Sequence, residues 1–294
     1  MEIQIKLTIM AVLWAGGFIA AKVISPLAGP FTITFFRFGF VALLIGAYLL
    51  VKDEKPAVDR THWMYAAAAA LLGVMGYSYF FLKGIQVLDA GRGSVIVSVV
   101  PVAVAFFSHA FLGEKVSPTK ALAFLVSLAG AWIVIGQGRW EIFSGLGIGK
   151  GEVYFLLCVI CAAAYALFSK KILDDHSPLV TMTLVSGIGA GFCMIPAVVE
   201  MQTVQGAWNS WPFIAGLTYL VIGPSVIAVI FYYEAINSIG AARASQFMNL
   251  IPVFAVILGM VFLKEQLTFS LLAGGALVIL GLYLAREPAT SITR

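Results

Sequence analysis

Long apolar runs recur along this whole 294-residue sequence and are separated by short polar links. A run of about 20 apolar residues is long enough to cross a bilayer as a helix, the structure that bonds every backbone N–H and C=O group within one segment. Ten segments qualify, at about residues 7–25, 32–51, 63–83, 92–112, 119–136, 152–171, 178–200, 213–234, 241–263 and 270–286. The sequence therefore predicts an all-α integral membrane protein with ten transmembrane helices.

Composition supports this fold class and excludes several functions. Hydrophobic residues make up 61% of the chain, charged residues 11%, and the mean hydropathy is +1.01, unlike an ordinary soluble domain. The first apolar run lacks a convincing cleavage site, so we expect it to be a span and not a signal peptide. The basic residues form no patch with aromatic residues for nucleic acid, and the three histidines have no second ligand at metal spacing. The expected partners are the lipid bilayer and a small molecule, and no cofactor is predicted.

One stretch of the chain occurs twice. Residues 90–117 align without a gap with residues 241–268, at a spacing of about 151 residues, and eight aligned pairs are identical. Each copy holds five predicted helices, and an odd number of crossings leaves the second copy upside down. We therefore predict two inverted repeats, residues 1–140 and 150–294, which can open one site alternately to either side of the membrane. The alternative is a scaffold that was duplicated without this use.

The lysine and arginine residues predict the orientation. With a cytoplasmic N-terminus, 11 of the 18 lie on the inner side, 5 on the outer side and the other two within spans. Positive residues accumulate on the cytoplasmic side, so both termini are expected there. We expect a multi-pass protein of the cell inner (plasma) membrane.

Several motifs together resemble the EamA family of the drug/metabolite transporter superfamily. They are segment 13–18 with Lys22, the Arg37–Phe38 pair, the block 90–116 with Pro101, and the repeat of that block with Pro252 and Glu265. The resemblance covers nearly the whole chain. It implies ten helices in two repeats and efflux or exchange of small metabolites, often amino acids, without fixing the substrate.

Two helix faces are predicted to line a central cavity. Polar residues and prolines fall on one face of each of the fourth and ninth helices, at spacings of four and three residues. These residues are Ser94, Ser98 and Pro101 in the first copy and Ser245, Asn249 and Pro252 in the second, with Gln246 beside them. Polar side chains within a bilayer face a neighbouring helix or water. The alternative is that they only join helices, with a kink at each proline.

Aromatic and charged residues within the spans are further candidates for substrate binding. Trp14, Tyr77 and Tyr165 each bring a polar atom into an apolar span and suit a cavity that encloses an organic solute. Lys22 and Arg37 are charges within spans, which are costly and typically functional, and a substrate carboxylate would pair with either. The alternative for both is that the side chain reaches up to the outer interface.

Glycines and prolines within spans predict positions of bending. The candidates for hinges or kinks are Gly16, Gly17, Gly76, Pro101, Pro224 and Pro252, and Gly73 aligns with Pro224. Helices broken at matching positions can bend as one repeat moves against the other. Close packing of helices through small residues is the alternative.

The predicted function is secondary transport. We expect export or exchange of small polar metabolites, chiefly amino acids, by alternating access through a cavity between the repeats. The alternatives are drugs, nucleosides or other metabolites as substrates, and, from other classes, a channel or a membrane-embedded enzyme. No catalytic motif is found, and no acidic residue lies at the centre of a predicted span, which favours a facilitator or a weakly coupled exporter. A monomer is compatible with the sequence.

Overall fold

The computed structural model describes residues 2–52, 58–112, 118–136, 148–203 and 206–284, which are helical and contain no strand within these ranges. The first seven helices are α1 Ile3–Ile24, α2 Pro30–Val51, α3 Arg60–Ala69, α4 Tyr77–Val87, α5 Ala90–Val97, α6 Val100–Leu112 and α7 Pro118–Gly136. The second seven are α8 Lys150–Leu173, α9 Pro178–Thr203, α10 Trp211–Leu220, α11 Ala228–Ile239, α12 Ala241–Gln246, α13 Ile251–Leu263 and α14 Phe269–Leu284. The predicted all-α class is confirmed.

Three irregular helical segments connect these helices without a loop. A π-helix, Ala70–Gly76, joins α3 to α4, and a second one, Val221–Ile227, joins α10 to α11. A 3₁₀-helix, Phe247–Leu250, joins α12 to α13. With α3 and α4, and α10 and α11, counted as continuous rods, seven helices within the described residues are long and apolar enough to cross a membrane. Three shorter apolar helices, Ala121–Gly136, Phe247–Leu263 and Phe269–Leu284, complete the described helical bundle.

The irregular segments lie at prolines and glycines. Pro224 falls within the second π-helix, and Gly76 is the last residue of the first. Pro101 and Pro252 are the second residues of α6 and α13, each just after an interruption in the preceding helix. A proline has no N–H for the carbonyl four residues before it, so the helix must depart from regular α geometry at these places.

By contrast, α1 runs without interruption through Gly16 and Gly17. A side chain at Gly16 would collide with the hydroxyl of Tyr219, and that hydroxyl donates to the Leu13 carbonyl at 3.1 Å. These glycines therefore let α10 and the second π-helix approach the backbone of α1 closely, as small residues do in membrane helix packing.

The elements of the two halves interleave. Helix α1 packs against α10, α11 and α13, while α4 packs against α8, and α2 lies along α9. The largest buried cluster includes Phe18 of α1, Phe81 of α4, Phe155 of α8 and Phe213 of α10. Residues before and after the central link thus share one core, and a site between them would be built from both.

Candidate functional site

Arg37 lies in α2 about 10 Å from the start of the helix, at a rise of 1.5 Å per residue. Its guanidinium reaches across to the second π-helix, where Nε and Nη2 donate to the Ser225 hydroxyl at 3.2 and 3.1 Å. It also lies 5.1 Å from the centre of the Phe38 ring. Among the described residues, no carboxylate forms an ion pair with Arg37.

The missing N–H of Pro224 explains why Ser225 is placed to receive this charge. In a regular α-helix the N–H of residue 224 would bond to the Leu220 carbonyl, and proline cannot supply it. The Ser225 hydroxyl donates to that carbonyl instead, at 2.9 Å. Its oxygen lone pairs remain available, and they accept from Arg37. The break in the helix therefore positions a hydroxyl against a charge within the membrane.

A small cavity lies beside Arg37. It is lined by Thr34, Arg37, Ser78 and the apolar side chains of Ala21, Ile33, Phe81, Leu82 and Leu220. Its accessible volume of about 10 Å³ is close to that of a single water molecule. In this conformation the cavity is therefore too small for a metabolite, and binding one requires the surrounding helices to separate.

The hydroxyls of the cavity differ in their bonding. The Thr34 hydroxyl donates to the Pro30 carbonyl of its own helix at 2.7 Å. Ser78 is only 5% exposed, and its hydroxyl makes no hydrogen bond with any described residue. Because it lines the cavity and has no partner among the described residues, the Ser78 hydroxyl is available to bond a solute there.

The predicted aromatic residues pack around the π-helices. Trp14 donates its indole N–H to the Pro224 carbonyl at 2.9 Å, and its ring lies 5.6 Å from that of Tyr232. Tyr77 stacks on Phe81, a residue of the cavity wall, at 5.8 Å and is close enough to Arg37 to interact electrostatically.

Tyr165 packs against the other π-helix. A side chain at Gly73 would overlap the Tyr165 ring. The structure thus brings Trp14 and Arg37 to the second π-helix, with Tyr77 near Arg37, and places Tyr165 at the first.

The polar faces of the predicted cavity lie elsewhere. The Ser94 and Ser98 hydroxyls donate to the Gly91 and Ser94 carbonyls, both at 2.7 Å, and neither residue lines the cavity beside Arg37. Gln246 and Asn249 are partly buried at the join between α12 and the 3₁₀-helix and do not line that cavity either. The side chain of Ser245 lies outside the described residues. The contribution of these five residues to a substrate site remains a prediction.

The other charged groups near the spans have partners within the protein. Lys22 donates to the Leu88 carbonyl at 2.6 Å, and Arg92 pairs with Glu152 at 2.8 Å in a buried contact. Glu234 pairs with Lys6. Lys22 therefore caps the end of α4, whereas Arg37 bonds a side-chain hydroxyl, and among the described residues neither of the two has a carboxylate as an ion-pair partner.

Two carboxylates of the second half cap helices of the first half. Glu265 accepts from the backbone N–H groups of Ala90 and Gly91 at 2.6 and 3.1 Å, at the start of α5. Glu200 accepts from the backbone N–H and the hydroxyl of Thr32 at 2.8 and 3.0 Å, in the first turn of α2. Negative groups are favourable at helix N-termini, so both contacts hold the halves together.

Sequence reasoning missed three residues at this site. Thr34 had a usable signal, because it lies three residues before Arg37 and so shares a face of the same predicted helix, whereas only the fold shows that Ser78 flanks Arg37. Ser225 had a usable signal, because it directly follows a proline within a span and can bond the carbonyl that the proline leaves free. Within the described residues, no group of three or more histidine, cysteine or acidic side chains could hold a metal ion.

Comparison with known proteins identifies the family. The profile of the EamA-like transporter family matches residues 3–136 and 149–286. The chain belongs to this family. Its relatives include the uncharacterized transporter YyaM of Bacillus subtilis, 24% identical over 97% of this chain and 93% of YyaM. An uncharacterized transporter of Archaeoglobus fulgidus is 26% identical over 96% of each chain.

More distant similarities agree with this EamA-like assignment. A WAT1-related chloroplastic protein of Arabidopsis thaliana is 24% identical over 94% of this chain and 67% of its own length. A solved crystal structure with 18% sequence identity matches the fold with a TM-score of 0.65, over 95% of this chain and 94% of the other. This EamA-like chain is therefore a multi-pass membrane protein of a transporter family, and the predicted family resemblance is confirmed.

Proposed function

We propose that this EamA-like protein is a secondary transporter that exports or exchanges small polar metabolites, chiefly amino acids, by alternating access. The observation that carries the proposal is the cavity beside Arg37. It lies between α1, α2 and α4 of the first half and the end of α10 in the second half, and it combines a charge and hydroxyls with an apolar wall. Concave sites of this composition suit small organic solutes.

The proposal includes an architecture of ten transmembrane helices in two inverted repeats, 1–140 and 150–294. Support comes from the helix bounds, which recur at the spacing of about 151 residues seen in the sequence. The two π-helices, the starts of α3 and α10, and the starts of α5 and α12 all follow this spacing. Both termini are proposed to lie in the cytoplasm, with the protein in the inner (plasma) membrane.

The small size of the cavity beside Arg37 in this conformation supports a carrier mechanism. With room for about one water molecule, the cavity beside Arg37 does not admit a solute in this conformation. A carrier needs such a closed conformation between its two open ones, whereas an open channel needs a continuous path. Weakly coupled or facilitated transport is proposed over tight proton coupling because no acidic residue lies at the centre of a predicted span; the Glu234–Lys6 pair is the contact that could overturn this part of the proposal.

The test is uptake of a panel of labelled amino acids into liposomes containing the purified protein, with and without a pH gradient. Saturable uptake above that of empty liposomes, reduced by other unlabelled amino acids, is expected. Uptake that does not change with the gradient would support a facilitator. Ion conductance without saturable uptake would instead favour a channel and contradict the proposal. Uptake limited to nucleosides or drugs would keep the carrier mechanism and reject amino acids as substrates.

A further inference from the structure

We propose that the cavity beside Arg37 binds the carboxylate group of the transported molecule, and that recognition requires this carboxylate but no amino group. The inference rests on the proposed function and names the chemical group that its site selects. Among metabolites, it assigns the protein to small apolar carboxylates, whether or not they carry an amine.

The first argument is the unbalanced charge of Arg37. A guanidinium has five N–H donors, and the bonds to Ser225 come from only two of its nitrogen atoms. Ser225 is neutral, and it already donates to the Leu220 carbonyl. A carboxylate would match the planar guanidinium with two parallel hydrogen bonds and would neutralise the charge within the membrane. No described residue supplies such a group, so the geometry leaves this role to the solute.

The second argument is Ser78, on the other wall of the same cavity. Its hydroxyl makes no hydrogen bond with a described residue, and Ser78 lines the cavity. It can donate to an oxygen of the same carboxylate that pairs with Arg37. A charged donor and a neutral donor from different helices therefore border the space where an anionic group would lie.

The third argument concerns the amino group. None of the residues that line the cavity is acidic. The carboxylates of Glu152, Glu200, Glu234 and Glu265 are bonded to other parts of the protein. An ammonium group would find no counter-charge here, and the Arg37 charge would repel it. The site consequently gains binding free energy from a carboxylate and none from an amine.

The apolar residues of the cavity wall predict the part of the solute other than its carboxylate. Ala21, Ile33, Phe81, Leu82 and Leu220 present only hydrocarbon to the cavity. A small aliphatic or aromatic group would fill this space once the helices separate, and its burial would add to the affinity. Leucine and its analogues fit these requirements.

The experiment compares three molecules that share one side chain. Leucine carries both groups, isocaproate lacks the amine, and isoamylamine lacks the carboxylate. Each is added to the purified protein in detergent to measure the shift in melting temperature, and each is tested as a competitor of labelled leucine uptake in liposomes. We expect leucine and isocaproate to stabilise the protein and to compete, and isoamylamine to do neither.

Variants connect the effect to the proposed site. Arg37→Gln keeps a hydrogen-bonding side chain without the charge, and we expect it to weaken isocaproate binding at least about tenfold, as the loss of a charged hydrogen-bonded pair implies. Arg37→Lys should retain part of the binding, because it keeps the charge but loses the two parallel bonds. Lys171→Gln removes an exposed positive charge from the end of α8 and serves as the control, with wild-type binding expected. The melting temperatures without ligand show whether each variant is folded.

The outcomes separate this inference from the proposed function. If leucine is transported but isoamylamine competes as well as isocaproate, the carboxylate inference is wrong and amino acid transport stands. The same holds if Arg37→Gln is folded and binds isocaproate like the wild type. If isocaproate stabilises the protein through Arg37 and no amino acid is transported, the site is correct and the substrate proposal fails. The absence of any carboxylate-dependent shift in the wild type would overturn the inference.

Discussion

The two π-helices occupy matching places in the two halves of the chain but differ in chemistry. Ala70–Gly76 has a glycine, Gly73, at the position where Val221–Ile227 has Pro224. Each receives an aromatic side chain from the first helix of the other half, Tyr165 over Gly73 and Trp14 on Pro224. The packing is thus similar on both sides, although one segment is opened by a proline and the other is not.

The chemistry of the two π-helices differs most at the residue that directly follows Gly73 in one and Pro224 in the other. Ser225 of the second segment bonds Arg37 of α2. Val74 aligns with Ser225 at the 151-residue spacing, and Val185 lies as far from Pro178, the first residue of α9, as Arg37 does from Pro30, the first residue of α2; both valines lie in one apolar cluster. The contact between α2 and the second π-helix is therefore polar, whereas the corresponding contact between α9 and the first π-helix is made by hydrocarbon side chains. Under the proposed function, the similar packing of the two π-helices would support movement, and the Arg37–Ser225 pair, which has no polar equivalent, would provide recognition.

The largest effect on folding is expected from placing an arginine at Val185, in the apolar cluster that corresponds to the Arg37–Ser225 contact. Val185 is only 2% exposed and has no polar partner in its cluster. Val185→Arg would bury an unpaired guanidinium, at a cost of about 3 kcal/mol or more, and we expect loss of the monodisperse peak in size-exclusion chromatography.

The reverse variant provides the control for this prediction. Arg37→Val gives α2 the residue found in α9, and because it removes a buried charge it should leave the protein folded and only impair transport. If Arg37→Val failed to fold while Val185→Arg folded, the charge would be structural, and the division between the two sides would be wrong.

The next effect concerns the fit of the aromatic rings. A methyl group at Gly73 would lie 2.8 Å from Cβ of Tyr165, too close for that side chain to tolerate without shifting. Gly73→Ala is therefore expected to destabilise the protein by about 1–3 kcal/mol. On the matching side, the added methyl of Gly17→Ala would be 3.5 Å from Pro224, an ordinary contact, and should have little effect.

A double-mutant cycle tests the cause. In a Tyr165→Gly background, Gly73→Ala should no longer lower the melting temperature, because both the ring and the Cβ atom that the methyl would meet are gone. Gly191→Ala on α9 is the matched control, since a methyl there would meet no atom within 4 Å. A cost at Gly73 that persists without Tyr165 would mean that the π-helix itself requires glycine.

Much of the architecture could be predicted from the sequence because it depends on local chemistry. Apolar length predicts helices in a membrane, and Pro101, Pro224 and Pro252 each remove an N–H group from a helix. The first π-helix was harder to predict, because Ala70–Gly76 contains no proline and its shape accompanies the packing of Tyr165 from the other half. A contact between halves leaves no pattern in either stretch alone.

The candidate site shows the same limit. Arg37 was identifiable as a charge within a span, and Trp14 as a polar ring, but their partners were not. Ser78 is adjacent to Arg37 only because α2 and α4 pack together, whereas Thr34 shares a face of α2 with Arg37 at a spacing of three residues. Lys22 had the same sequence signal as Arg37, yet it bonds the Leu88 carbonyl. The sequence cannot distinguish a charge that bonds a backbone carbonyl from one that bonds a side-chain hydroxyl beside a cavity.

A smaller effect is expected when the second π-helix is made more like a regular helix. Pro224→Ala restores the N–H group that can bond the Leu220 carbonyl, so Ser225 would lose its fixed orientation. We expect a rise of a few degrees in the melting temperature together with slower uptake in liposomes. Ser225→Ala, which keeps the proline but removes the hydroxyl, should slow uptake without the gain in stability. Equal uptake by both variants and the wild type would show that this segment does not orient the site.

The smallest effect is expected at the helix starts that precede the π-helices, where the two halves again differ. Asp59 precedes α3 and accepts from the backbone N–H of His62 at 2.8 Å. Ser210, at the matching place before α10, makes no such bond, and its hydroxyl is buried without a partner among the described residues. The His62 N–H holds the pKa of Asp59 below its ordinary value of 3.8, so this cap stabilises the protein above that pH and loses its effect as the pH falls through the lowered pKa.

Asp59→Ala should therefore lower the melting temperature by a few degrees at neutral pH and by less in acid, because a helix cap is lost. Ser210→Ala should leave it unchanged or raise it slightly, since the variant removes a hydroxyl that has no hydrogen bond. Both are measured by thermal unfolding of the purified protein at several pH values. Equal losses in the two variants would show that Ser210 also caps its helix, and the halves would then be more alike at their helix starts than at their π-helices.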